Sequence, residues 1–287
     1  MAQVKIVTDS TAMLTPEEAA EFDVKIVPLS ITIDGTSYQD GVTLSRVEFM
    51  DKMAEAKNLP QTSQPALGYF TEVYESIMAA DPETQIISIH LTKGLSGTAD
   101  AARQAALMVE GDITTLDSEF IDRAEGFQVL AAAKLAAAGA SKEAVLAEIQ
   151  RVRDNTQLYL TVSNLDNLVA GGRLSKTAGF IAGVLNIKVG AHIEQGNINV
   201  EVKGRGAKST KAYLKKIVEQ MQAAPNGVAA IGISHAGIPV EAQELADKVN
   251  EVFPDVKIVV QQTSPTVSTH TGAGAIGISY LLKYYSV

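Results

Sequence analysis

The sequence predicts two α/β domains, the first on a parallel sheet and the second on a mixed sheet that contains a hairpin. Three observations carry this. Through the first half, short apolar runs alternate with longer helical patterns, as parallel βαβ units require. In the second half, two stretches of alternating apolar and polar residues flank Gln195-Gly196, a hairpin pattern. The chain has 287 residues, which at roughly 150 per domain suits about two domains. The boundary is placed near residue 157, giving domains over 1–157 and 158–287.

In chain order, residues 4–7, 25–27, 86–91 and 113–116 are runs of buried-strand character. Thr15-Pro16-Glu17-Glu18 is a capping box with Pro at the first helical position, and Ser45-Arg46-Val47-Glu48 is a second. Helices are predicted over 66–80, 97–110 and 120–154, the last broken near Gly139-Ala140-Ser141. The first domain therefore reads as a Rossmann-like unit. In the second, 158–162 is a strand, and 187–194 and 197–203 are the hairpin arms. Strands at 228–234 and 256–260 enclose a helix from about 239 to 253, and a last helix is predicted from about 274 to 284.

Composition narrows the function. The net charge of −9 argues against a nucleic-acid binder, which needs a basic face for phosphates. There are no cysteines, so disulfides and thiolate metal sites are excluded. No pair of histidines has the i, i+4 spacing of a helical metal site, so no metal is expected. The first ten residues lack the basic and apolar regions of a signal peptide, and no stretch reaches the roughly 18 apolar residues of a membrane span. A cytoplasmic location is the expectation.

In open parallel sheets, ligands bind beyond the carboxyl ends of the strands. Those ends carry Thr8-Asp9-Ser10-Thr11, Thr92-Lys93-Gly94-Leu95-Ser96-Gly97-Thr98 and Asp117-Ser118, and Thr62-Ser63-Gln64-Pro65 precedes a helix. Ser96-Gly97-Thr98 opens a helix whose free N–H groups favour an anion, and Gly97 lets a ligand approach the backbone. Thr62 and Ser63 stand in the same relation to their helix. Two such ends suit a carboxylate or phosphate; ordinary N-capping explains the same residues. His270, in Thr269-His270-Thr271-Gly272, is a third candidate, placed before the last helix. His90 reads as core or wall, while His192 and His235 have no obvious partners. Two basic segments, Gly171-Gly172-Arg173-Leu174-Ser175-Lys176 and Gly204-Arg205-Gly206-Ala207-Lys208, can meet a phosphate or are solvated turns.

Gly272-Ala273-Gly274-Ala275-Ile276-Gly277 matches the dinucleotide fingerprint in letters only. The chain ends too soon for the acidic residue expected about 20 positions later, so these glycines read as helix-packing residues. Gly94-Leu95-Ser96-Gly97 is not a nucleophile elbow, because its second glycine comes one residue early.

Together, Val7-Thr8-Asp9-Ser10-Thr11, Thr62-Ser63-Gln64-Pro65, Leu95-Ser96-Gly97-Thr98, Gly171 to Lys176 and Thr269 to Gly274 occur in the order seen in the DegV family. The chain resembles that family over about 3–285. The resemblance implies a long-chain fatty acid, such as palmitate, buried between two α/β domains, with no other cofactor. It implies a carboxylate held by Thr62 and Ser96, with His270 joining the network; Ser63 and Gly97, beside them at the two helix starts, are counted with that site. It further implies a non-catalytic subunit. A separate ATP-dependent fatty acid kinase would phosphorylate the bound acid for phospholipid synthesis, with Arg173 and Arg205 facing that partner. One departure is Ala99-Asp100, where many members carry a Tyr.

The physics agrees with the implied ligand. A sixteen-carbon acid buries about 14 methylenes at ~0.8 kcal/mol each, roughly 11 kcal/mol gross before association costs. The tail then dominates affinity and the hydroxyls set orientation. Phe180, Ile181, Val184 and Leu185 suit either a tail tunnel or ordinary core. Two rivals stand beside this reading: a serine hydrolase or acyl transferase using Ser96 with His90 or His270 and Asp117, and a lipid sensor without a kinase partner.

Overall fold

The computed structural model describes residues 3–163, 165–174 and 187–284. The first half opens with β1 (Val4–Asp9), α1 (Pro16–Glu21) and β2 (Lys25–Val27). It continues through β3 (Ser30–Ile33), β4 (Thr36–Gln39), α2 (Arg46–Glu55), β5 (Gln61–Ser63) and α3 (Leu67–Ala80). It closes with β6 (Gln85–His90), α4 (Thr98–Ala106), β7 (Asp112–Asp117), α5 (Asp122–Ala137) and α6 (Lys142–Asp154). Both capping boxes form: Thr15 and Ser45 each accept from the N3 amide while Glu18 and Glu48 reach back. The long helical stretch breaks between α5 and α6, where Gly139 takes φ +78°.

Strands β2-β1-β6-β7 form a four-stranded, all-parallel sheet. Its strands end together at Val27, Asp9, His90 and Asp117, so the loops that follow share one edge. A second sheet, absent from the sequence expectation, is antiparallel in the order β4-β3-β5. Its hairpin turns at Asp34-Gly35, both at positive φ. The pairing of Ile31 with Thr62 fixes Thr62 on its edge strand.

The second half comprises β8 (Thr156–Val162), α7 (Asp166–Ala170), β9 (Ile187–Glu194), β10 (Asn197–Arg205) and α8 (Ala207–Gln222). Then come β11 (Val228–His235), α9 (Pro239–Val252), β12 (Ile258–Gln262), α10 (Pro265–Thr271) and β13 (Ile276–Leu282). The sheet order is β10-β9-β8-β13-β11-β12, with β11 and β12 parallel and the other pairs antiparallel. The β9–β10 hairpin turns at Gln195-Gly196, both at positive φ.

The end of the chain corrects the sequence reading. Residues 276–282 are a strand, not a helix, inserted between β8 and β11. Ile276, Ile278 and Tyr280 alternate at period two and all are buried. Gly272 (φ +71°) and Gly274 (φ +83°) turn the chain out of α10 into β13 rather than packing a helix. His270 accordingly sits in the last turn of short helix α10, which Ser264 caps and Pro265 starts.

Helix α5 joins the layers. It packs on β1 and β6 on one side and on β8, β11 and β13 on the other. Eleven of its sixteen residues are buried, which is why it shows no polar stripe. Its Arg123 forms a bidentate ion pair with Glu18 (2.5 and 2.6 Å). Its Glu125 lies fully buried, accepting from Thr8 Oγ1 (3.3 Å) and Thr11 Oγ1 (3.1 Å). Burial, then the nearby Asp9 carboxylate, push Glu125 well above the usual carboxylate range. Among the described residues no helix is long and apolar enough to cross a membrane.

Candidate functional site

A cavity, part of it open to solvent, lies between the two halves and draws its walls from both. Part of the wall is aliphatic: Leu158 and Leu160 from β8, Ile193 from β9, Ile198 from β10, Leu168 from α7 and Ile121. The predicted tail-lining residues Phe180, Ile181, Val184 and Leu185, and Lys176 of the basic segment, lie outside the described residues.

Polar side chains gather where β5, α4 and α10 meet. Thr62 Oγ1 lies 2.8 Å from His270 Nε2, although 208 residues separate them. Ser63, Gln64, Ser96 and Arg173 line the same region. Ser96 Oγ accepts from the Thr98 amide (3.3 Å) and lies 2.8 Å from Thr98 Oγ1, so it serves the first turn of α4 from outside the helix. A Cβ on Gly97 would come within 2.0 Å of Gln64 Oε1. Gln64 therefore packs beside Gly97, and this contact seats the Thr62–Gln64 segment against the Ser96 loop.

His270 is held just as tightly. A Cβ on Gly171 would lie 2.3 Å from its Nδ1, so the ring occupies space that only glycine leaves open. Burial, and then the Arg173 guanidinium, push the imidazole down to about 4. His270 is thus neutral at pH 7, and its buried Nδ1 has no hydrogen-bond partner among the described residues.

Arg173 follows α7. Its Nε donates to Leu95 O (3.1 Å) and its Nη1 to Gly171 O (2.6 Å), which ties the second half to the Ser96 loop. The hairpin tip reinforces that tie, since Thr92 Oγ1 donates to Gly196 O (3.1 Å). Arg205 is exposed at the end of β10, paired in the ladder with Ile187, and does not line the cavity.

Several polar wall residues escaped the sequence reading. Asp122, at φ +62° and buried, accepts from Ser234 Oγ and from Thr263 Oγ1 (2.6 Å). Thr263 and Thr266 follow β12, so reading strand ends would have found them had β12 been extended by two residues. The remaining histidines have partners. His90 bonds Ser88 Oγ (2.7 Å) and Asp9 Oδ2 (3.1 Å) in a buried network. His192 lies 3.0 Å from Gln157 Oε1 and stacks on Tyr159, and His235 Nδ1 accepts from the Ile238 amide (3.3 Å). Among the described residues no His, Asp and Glu cluster has the makings of a metal site.

Known proteins resemble this chain in sequence and fold. The chain fits the model of the DegV family of uncharacterised proteins over residues 3–283. It is 45% identical over 275 residues to the DegV domain-containing protein YejH of Lactococcus lactis, covering 96% of this chain and 98% of that one. A solved structure of DegV from Bacillus subtilis, described as a fatty acid binding protein, is 29% identical with a TM-score of 0.89, covering 99% of this chain and all of that one (100%). A stearic-acid-binding protein from Eubacterium ventriosum is 25% identical with a TM-score of 0.85, covering 99% of both chains. By sequence over nearly its whole length and by fold, the chain belongs to the DegV family.

Proposed function

We propose that this protein binds a long-chain fatty acid in the cavity, with its carboxylate at Thr62, Ser63 and Ser96 and its tail among Leu158, Leu160, Ile193 and Ile198. The observation that carries this is the Thr62–His270 contact at a polar corner of a cavity that also has a stretch of aliphatic wall. A neutral His270 bonds Thr62 through either ring nitrogen state. We assign the proton to Nε2, because a proton on Nδ1 would be a buried donor without an acceptor. His270 Nε2–H then donates to Thr62 Oγ1, and the threonine O–H is free to donate to a carboxylate. Neutral donors hold the anion without the desolvation cost of a fully buried countercharge.

The aliphatic wall matches the tail, at ~0.8 kcal/mol per buried methylene. Bound this way, the carboxylate keeps one oxygen for attack on a phosphoryl donor supplied by a separate kinase. Arg173, at the cavity, and Arg205, exposed on β10, are the residues assigned to that partner. Delipidated protein titrated with palmitate should bind one equivalent, and Ser96→Ala should bind it more weakly. Turnover of acyl esters by the unmodified protein would instead favour the hydrolase. Arg173→Ala should lower acyl phosphate formation in the presence of a fatty acid kinase; unchanged formation removes that role.

A further inference from the structure

Helix α10 brings His270 to the head-group corner, and a second polar link holds the same helix against the first half of the chain. Asp40 lies between β4 and α2, only 2% exposed. Its amide donates to Leu29 O (2.9 Å), next to the cavity wall. Its Oδ2 accepts from both the amide (3.1 Å) and the hydroxyl of Thr266. Thr266 and His270 are four residues apart in one helix, hence on one face. That face makes two side-chain links to the β3–β5 region: Thr266 to Asp40, and one turn later His270 to Thr62. Thr269 O of the same helix accepts from Asn167 Nδ2 (3.0 Å), an anchor within the second half.

We propose that Asp40 is a positioning residue for the head-group site: by holding Thr266 it sets the placement of α10 and so keeps His270 within hydrogen-bond reach of Thr62. This rests on the fatty-acid reading for its effect on affinity, though not for its effect on the imidazole. Asp40 touches no ligand in this scheme. A fully buried carboxylate is costly to retain, and burial raises Asp40 to about 6 even with Thr266 and the nearby Arg46 opposing the rise. Such a group is better explained by the geometry it enforces than by stability.

The test uses two disrupting variants and two conservative ones. Thr266→Val removes the hydroxyl while keeping shape, and Asp40→Ala removes the acceptor; Thr266→Ser and Asp40→Asn retain a hydroxyl and a side-chain oxygen acceptor. Palmitate affinity is measured by titration, and the His270 ring by nitrogen-15 NMR of the ligand-free full chain. Asp40→Ala, which removes both bonds to Thr266, should weaken palmitate binding about tenfold, the equivalent of one neutral hydrogen bond, and Thr266→Val, which keeps the amide bond, by about threefold. Asp40→Ala should also lose the protected His270 Nε2–H signal and Thr266→Val should weaken its protection, and the conservative pair should keep affinity and signal near those of the unmodified protein. An unchanged signal or affinity in Asp40→Ala overturns the positioning role; where that variant fails to fold, Asp40→Leu, nearer the original side chain in volume and equally without an acceptor, decides instead. If the unmodified protein binds no palmitate, the fatty-acid reading fails on its own, and the ligand-free NMR comparison still judges Asp40.

Discussion

Replacing Thr62 by Val keeps the shape of the corner and removes one oxygen. Two things are lost. The first is the 2.8 Å contact to His270 Nε2. Because His270 Nδ1 already lacks a partner, the ring is left with no hydrogen bond among the described residues. Leaving a buried polar group unsatisfied costs about 1–3 kcal/mol of folding stability. The second loss is the hydroxyl that donates to the ligand. A hydrogen bond to a charged group is worth about 1.5–3 kcal/mol, which corresponds to a 10- to 150-fold rise in Kd. The aliphatic wall is untouched, so binding should weaken without being abolished. Competition titration of a fluorescent fatty acid reads the Kd, and thermal unfolding of the ligand-free chain reads the stability. Thr62→Ser, which keeps the hydroxyl, should stay close to the unmodified protein. A Thr62→Val Kd within twofold of the original would refute the placement of the carboxylate.

Further outcomes follow from the same contacts. Gly171 has φ −74°, so its backbone accepts alanine, but the new Cβ would meet His270 Nδ1 at 2.3 Å. Gly171→Ala should therefore move the ring off Thr62 and weaken fatty-acid binding about tenfold, a loss of one hydrogen bond in size, with circular dichroism unchanged. Gly94→Ala would put a Cβ 2.3 Å from Gly196 O, backbone against backbone. It should part the hairpin tip from the Ser96 loop and lower stability by about 1–3 kcal/mol in urea. Asp40 is raised from 3.8 to about 6, so between those values the folded state binds more protons than the unfolded one, and its contribution to stability falls as pH rises. Asp40→Asn should accordingly be about 2–3 kcal/mol more stable than the unmodified protein at pH 7, with the gap closing toward pH 4; no gap at pH 7 would contradict the burial cost.

The parallel sheet of the first half was legible because its strands are continuous apolar runs between strongly capped helices, as Thr15 and Ser45 illustrate. The small antiparallel sheet was not, because β3 to β5 span three or four residues each, too short for period two to stand out. Its one sharp local signal, Asp34-Gly35, marks a hairpin whose arms are otherwise weakly patterned. The end of the chain misled for a different reason. Gly272 to Gly277 looks helical by its small residues, yet two of those glycines take positive φ and the Ile-Gly-Ile-Ser-Tyr alternation that follows is a strand.

The site was legible where a hydroxyl sits beside a strand end or helix start, as Thr62 and Ser96 do, and the resemblance to the DegV family supplied their grouping with His270. Asp40 and Asp122 were invisible because their partners lie 226 and 141 residues away and nothing local distinguishes a buried aspartate from a surface one. Gly97 and Gly171 show a related limit. The sequence marks a glycine, but only the packing reveals that Gln64 and His270 fill the space beside each.

The most direct measurement is native mass spectrometry of the purified protein, followed by denaturation and identification of whatever is released. The expected result is one long-chain fatty acid per chain, or its uptake at that ratio when palmitate is added to delipidated protein. A chain that is empty and takes up neither palmitate nor oleate would contradict fatty-acid binding in this cavity.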